Sequence, residues 1–434
     1  MALMASARDL HEPAPAAAAQ AAPGEPRWEQ VLVVVGVVLL AVNLRPAATS
    51  LGTLLEQTQQ ALSISAPLAG LLTTLPVLCF AAFGPVATFF GRHWGLHRTT
   101  LVTLLLVVSG LVLRAVTDSV LVFTVSSALA LAGMASGNVL LPPLVKRHFP
   151  HRVGALTAVY STALMTGAAL PAWVAVPVSQ AAGSWRYGLA MWGVLAAVAV
   201  VPWIGLLRHD VREDDRPPAR YAMRDVARTR LAWQMALFFG VQSSFAYTQF
   251  GWLPKIYADA GLDPARAAVM LGLLTGIGIP MALVLPAYAA RRPDQRWVVT
   301  VLGGCALAGF TGLLAVPTTL PWLWALLLGV GGSAFPWCLT MLGLRAHTQD
   351  GTAVLSGFVQ SVGYVLAAVG PLGTGLLFAL SGGWTLPLTV LSAMTVLLVL
   401  VGVTFARPRY IEDELEAVRA SSGGGHSASV SSGG

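Results

Sequence analysis

Long apolar runs of about twenty residues, separated by short polar intervals that hold nearly every charge, repeat along this chain from Gln30 to Phe405. A helix needs about 20 apolar residues to cross the hydrocarbon core of a bilayer, so this alternation constrains the fold more than any local motif. Twelve spans are expected. The first six run Gln30 to Leu55, Ala66 to Phe90, Thr99 to Val116, Ser119 to Val145, Gly154 to Ser179 and Tyr187 to Leu207. The second six run Leu231 to Leu253, Ala265 to Ala289, Trp297 to Val316, Pro321 to Leu344, Ala353 to Leu380 and Leu386 to Phe405. Composition agrees: 56% of the 434 residues are hydrophobic and 10% are charged, where a soluble domain carries about 25% charged residues.

Basic residues mark the cytoplasmic ends, because Lys and Arg resist translocation. Arg92 and Arg98 follow the second span, Lys146, Arg147 and Arg152 the fourth, Arg291, Arg292 and Arg296 the eighth, and Arg345 the tenth. Seven arginines lie in the connection from Arg208 to Arg230. The opposite loops hold only Arg186, Lys255 and Arg266, with Arg114 at a helix end. Both termini are therefore expected in the cytoplasm of a bacterial-type inner membrane. The formal net charge of +7 follows this loop pattern and does not point to nucleic acid.

The Ala/Pro-rich stretch from Met1 to Pro26 lacks an apolar core beside a cleavage site and does not read as a signal peptide. The Ser/Gly-rich end from Ala420 reads as disordered. The expected organisation is a disordered cytoplasmic tail over residues 1–29, a six-helix bundle over 30–207, a linker over 208–230, a second six-helix bundle over 231–406 and a cytoplasmic tail over 407–434. The bundles echo one another. Gly133, Lys146-Arg147, Gly154, Gly167 and Pro171 are followed about 200 residues later by Gly329, Arg345, Gly351, Gly363 and Pro371. Repeats of this kind build many secondary transporters, with the solute held near the midplane.

Arg45 lies well inside an apolar run, where a charge costs several kcal/mol and must face a watery cavity or a partner. Its guanidinium suits a carboxylate or another planar anion. Pro46 removes the amide bond to the Val42 carbonyl, so the first span should bend there. Asn43 sits about 200° around the helix from Arg45, so one of the two can bind while the other braces. Asn138 follows the Gly133/Gly137 pair, and Gln242 occupies the depth in the seventh span that Asn43 holds in the first. Gln360 and Tyr364, one turn apart, form a possible cavity wall, and Tyr160, Tyr247 and Trp337 add aromatic surface. For each of these, helix packing is the competing explanation.

Glu56 alone among nineteen acidic residues lies near membrane depth, which makes it the candidate for proton coupling, although a solvated helix-end carboxylate is the plainer reading. Arg92, Arg98, Lys146, Arg147 and Arg345 are candidates for the cytoplasmic gate. Cys79, Cys305 and Cys338 sit in apolar runs and suggest neither disulfide nor metal. No phosphate-binding Gly-x-x-x-x-Gly-Lys-Ser/Thr loop and no catalytic constellation is present, so no cofactor and no enzymatic activity are expected.

Local sequences resemble the major facilitator superfamily and, within it, the cyanate/nitroimidazole porter (CynX/NimT-like) family. They are Asn43-Leu44-Arg45-Pro46-Ala47, Gly137-Asn138-Val139-Leu140-Leu141-Pro142 leading to Lys146-Arg147, Trp252-Leu253-Pro254, and Gln360-Ser361-Val362-Gly363-Tyr364 with Gly370-Pro371. The resemblance implies an all-α fold of twelve transmembrane helices in two pseudo-symmetric bundles that rock around a central cavity, and small anions or small polar heterocycles as solutes. The superfamily's loop motif carries an acid four positions after its Gly, where this chain has Thr88 after Gly84. The expected partners are a small solute and the bilayer, the expected state a monomer. A multidrug efflux carrier and a non-alternating receptor or channel are the competing functions.

Overall fold

The computed structural model describes residues 27–149, 152–207, 222–289 and 291–423. The expected tail up to residue 26, most of the linker (208–221) and the chain from 424 onward lie outside the described residues. Among the described residues every regular element is a helix.

The first span is built in three pieces: α1 (Arg27–Asn43), α2 (Pro46–Thr53) and α3 (Leu55–Leu62). The rest of the N-terminal half comprises α4 (Ala66–Trp94), α5 (Leu96–Val116), α6 (Val120–His148), α7 (Val153–Ala181) and α8 (Trp185–Leu206). A single turn, α9 (Met223–Val226), leads into the second half, which opens with α10 (Arg230–Asp259), α11 (Pro264–Ala289) and α12 (Arg296–Ala315). The tenth span is divided into α13 (Pro321–Gly332) and α14 (Ala334–Leu344), and the eleventh into α15 (Gln349–Ala367) and α16 (Val369–Ser381). Helix α17 (Thr385–Ala406) completes the set.

Eleven of these spans are long and apolar enough to cross a membrane, and their outer faces expose residues such as Leu121, Val194 and Leu380. Helix α10 supplies the remaining expected span with a less apolar sequence. It can do so because its polar residues do not meet lipid: Gln242, Ser243, Ser244, Thr248 and Gln249 are all buried inside the protein. In hydrocarbon each would cost several kcal/mol.

The halves meet along three seams. Helix α2 packs on α10, α4 on α15 and α16, and α7 on α11. In span order these are the first with the seventh, the second with the eleventh and the fifth with the eighth. A shift of six spans exchanges the last two seams and returns the first to itself, so the interface obeys the twofold relation that the sequence repeat suggests.

The segment after the last span departs from the expected tail. Residues Ile411–Gly423 form α18. Its Ile411 and Leu415 are buried, and its acidic residues cap two other helices. Glu412 accepts hydrogen bonds from the amides of His347 and Thr348 (3.0 Å each) and from the Thr348 hydroxyl (2.9 Å), at the start of α15. Glu414 accepts from the amide of Leu231 at the start of α10 (3.0 Å). Helix N-termini present unpaired N–H groups and partial positive charge, so carboxylates dock there. The acids find partners that only the fold brings within reach.

Candidate functional site

Breaks in the first and tenth spans meet between the two halves, and the helix ladder of the eleventh is interrupted at Ala368. Arg45 stands between α1 and α2 with φ −124° and ψ −29°, outside helical geometry, and Pro46 begins α2. Because Pro46 has no N–H, the Val42 carbonyl loses its helical partner. That carbonyl lies against Gly167 of α7, where no Cβ would fit. In the tenth span Pro336 likewise deprives the Gly332 carbonyl of its partner, and the chain breaks at Ser333. The eleventh span breaks at Ala368, where the Ser244 hydroxyl of α10 donates to the Ala367 carbonyl at 3.2 Å.

Between the halves lies a small chamber. Arg45 lines it, only 5% exposed. Its Nη1 donates to the Tyr247 hydroxyl of α10 at 3.0 Å, and its guanidinium carbon lies 5.9 Å from the ring centres of both Phe80 and Phe335. Among the described residues no carboxylate pairs with it, and its Nε has no partner. Tyr364 stacks on Phe80 with centroids 4.5 Å apart and meets the edge of Phe239 at 5.0 Å. Ser243, Gln249, Thr275 and Ser333 give the remaining wall its polar atoms. The chamber therefore offers a cation, hydroxyl and amide groups, and flat aromatic faces, a set that fits a small planar solute carrying negative or partial negative charge.

A larger cavity lies next to it, sharing Met165, Phe335 and Pro336 as a common wall. It is lined by Asn138, Tyr160, Ser161, Ser356 and Gln360, and extends to Pro142, Thr157 and Leu342 near the basic loops. At the opposite end the halves close on each other. Gly52 of α2 packs on the Phe250 carbonyl of α10 so tightly that a Cβ would overlap it, and a Cβ at Gly251 would come within 2.6 Å of Thr73. Gly375 of α16 also faces Gly70 of α4, less tightly, with a Cβ at 375 falling 3.3 Å from the Gly70 Cα. The larger cavity thus lies on the side of the basic loops, while at the other end the two halves are in close contact.

The structure sorts the sequence candidates. Arg45, Tyr247 and Tyr364 line the chamber, while Asn138, Tyr160 and Gln360 line the larger cavity. Asn43 lines neither. Its amide donates to the Leu39 carbonyl (2.8 Å) and the Leu195 carbonyl (3.4 Å), bracing α1 on α8. Gln242 turns aside to Ser243 at 2.7 Å. Trp337 is fully buried between Phe238 and Phe405 as packing within the second half. Glu56 is exposed in a crevice at the closed end beside Gln57, Gln60 and Lys255, away from the chamber. Arg345 is a clamp: its Nε donates to the Phe405 carbonyl (2.9 Å) and its Nη2 to that of Ala406 (2.8 Å), tying down the end of α17. Arg98 and Lys146 are exposed at the basic end, Arg147 is half-buried there, and the Arg92 side chain lies outside the described residues.

Sequence reasoning missed Phe80 and Phe335, whose signal, an aromatic in an apolar run, is shared by every lipid-facing Phe. It also set Arg114 aside as a helix-end cation. In the structure Arg114 is fully buried and donates to the Ala47 carbonyl (2.8 Å) and the Ser50 hydroxyl (3.0 Å) of α2. Its position among apolar residues in the last turn of α5 was the available signal.

Comparison with known proteins agrees with this architecture. The family described as Major Facilitator Superfamily matches residues 32–371. The 2-nitroimidazole transporter of Escherichia coli (strain K12) is 33% identical over 383 residues, covering 88% of this chain and 97% of that protein. The cyanate transport protein CynX of the same organism is 30% identical over 378 residues, covering 86% and 97%. Among solved structures, a point variant of the nucleoside transporter NupG superposes with a TM-score of 0.71 at 12% identity, covering 87% of this chain and 99% of that one, a likeness of fold. This chain is therefore a membrane transporter of the major facilitator superfamily and belongs to its cyanate/nitroimidazole porter branch.

Proposed function

We propose that the protein carries a small, planar, anionic or strongly polar solute across the inner membrane by alternating access, with Arg45 as its principal ligand. The observation that carries this reading is a buried guanidinium that faces a chamber, has no carboxylate partner among the described residues, and donates its one side-chain hydrogen bond to Tyr247 of the opposite half. A buried cation without a counter-ion is costly, and a solute that brings negative charge offsets that cost. The curated relatives, named for 2-nitroimidazole and cyanate, fit the size and flatness of such a solute.

The loop charges favour a cytoplasmic position for the basic end and both termini. On that reading the arrangement is inward-facing, with the contacts at Gly52 and Gly251 on the outer side and the cavity lined by Asn138 and Gln360 on the inner side. In the opposite state the seam between α2 and α10 would part and the cavity at the basic end would close. A carrier of bulky hydrophobic cations fits less well, because the charge at the chamber is positive. Counterflow of 2-nitroimidazole and of cyanate in proteoliposomes tests the proposal. Arg45→Ala, at normal abundance, should lower the rate at least tenfold, ~1.4 kcal/mol in the affected step. Wild-type rates in that variant would remove Arg45 from the solute site.

A further inference from the structure

We propose that Arg114 is a positioning residue for the solute site: it holds α2, and with it Arg45, on the N-terminal half while the C-terminal half moves past. This deepens the reading of Arg45 as the solute ligand and rests on it.

Helix α2 has only eight residues and breaks at both ends, at Arg45 and at Leu54. A helix that short has little stability of its own, so its neighbours decide where it lies. Two sets of neighbours compete. The C-terminal half holds α2 through the Arg45–Tyr247 hydrogen bond and the seating of Gly52 on Phe250. Both contacts cross the seam that alternating access must open.

Within the N-terminal half α2 packs mainly on α7, and Arg114 of α5 adds the polar hold. Its two terminal nitrogens reach the Ala47 carbonyl at 2.8 Å and the Ser50 hydroxyl at 3.0 Å, acceptors three residues apart on one face of α2. The Ser50 hydroxyl in turn donates to the Pro46 carbonyl, so the grip extends to the residue beside Arg45. These bonds are charge-assisted. Arg114 is fully buried and, among the described residues, no carboxylate pairs with it, so releasing α2 would strand a cation inside the bundle. The planar fork matters, because a lysine could not serve both acceptors in the same geometry. When the outer seam parts, α2 therefore leaves α10 and stays with the N-terminal half, and Arg45 keeps its place in the chamber in both states.

The test uses the full-length protein in lipid. Ser50→Ala removes one acceptor at little risk to folding, and Arg114→Lys keeps the charge but loses the fork. Amide hydrogen exchange should quicken at least fivefold over residues 46–53 in both variants, with the other helices unchanged. For 2-nitroimidazole and cyanate counterflow, KM should rise about fivefold in Ser50→Ala and tenfold or more in Arg114→Lys, with Vmax within twofold of wild type. In an Arg45→Ala background, adding Ser50→Ala should change KM no further, since a positioning residue acts only through the group it positions. Wild-type exchange over 46–53 in both variants would overturn the proposal, as would KM effects that multiply in the double variant. If neither probe is carried, or Arg45→Ala behaves as wild type, the reading of Arg45 fails instead, and the exchange data still decide whether Arg114 holds α2.

Discussion

Arg45 and Tyr247, 202 positions apart in the chain, join the two halves of the protein through one hydrogen bond of 3.0 Å at the wall of the central chamber. On the proposed reading, an incoming anion meets a guanidinium already engaged by a neutral hydroxyl, a weaker acceptor than a carboxylate or cyanate, where both partners would be charged. Solute binding and the link between the halves therefore involve the same group.

Tyr247→Phe should uncouple them. It keeps the ring, which packs against Phe80 and Phe250 with centroids 6.1 and 5.8 Å away, and removes only the hydroxyl. Arg45 then loses its one side-chain hydrogen bond, a loss of about 1–3 kcal/mol when a buried charged donor is left without a partner. Ligand-free protein should melt at lower temperature than wild type, and a saturating solute should restore a larger share of stability in the variant. Paired melting curves with and without 2-nitroimidazole check this; equal ligand-induced shifts in the two proteins would separate the hydrogen bond from solute binding.

Gly52→Ala should impair closure of the outer end. A Cβ at residue 52 would overlap the Phe250 carbonyl, which is backbone and cannot swing aside as a side chain could. The variant should reach the membrane in normal amount, because the overlap exists only when the halves are closed there. Counterflow should fall at least tenfold, about 1.4 kcal/mol against the closed state, and a thiol probe applied from outside should label a cysteine placed at Thr53 faster than in the parent. Unchanged labelling and transport would show that the seam yields more readily than its packing suggests.

The spans, the bend at Arg45-Pro46 and the aromatic candidates Tyr247 and Tyr364 were legible because each rests on a local rule: hydropathy over one helix length, a missing amide, a polar residue in an apolar run. What the sequence hid depends on partners distant in the chain. Asn43 and Arg45 share a motif, yet one braces α8 and the other lines the chamber, because the break between them turns their side chains to different neighbours. Gln242 mirrors Asn43 in position and turns to Ser243. Arg114 resembles a solvated helix end until α2 is folded over it. Glu412 and Glu414 read as a polar tail until the starts of α15 and α10 come within reach.

Those last contacts carry a pH dependence. Burial alone would raise the pKa of Glu412, but the amides of His347 and Thr348 and the Thr348 hydroxyl outweigh it and hold the carboxyl below the ordinary glutamate range. A carboxylate whose folded pKa is depressed stabilises the fold above its unfolded value, about 4.3, and that stability is lost as the pH falls through the folded value. Wild-type protein should therefore melt above Glu412→Gln at pH 7, keep that advantage at pH 5, and lose it progressively below about pH 4. The glutamine can still accept a hydrogen bond but carries no charge to favour the helix start. Melting temperatures of the two proteins across this range measure the difference directly. A gap that stayed constant down to pH 3 would mean that α18 is held by Ile411 and Leu415 alone, and that the carboxylate merely occupies a site formed without it.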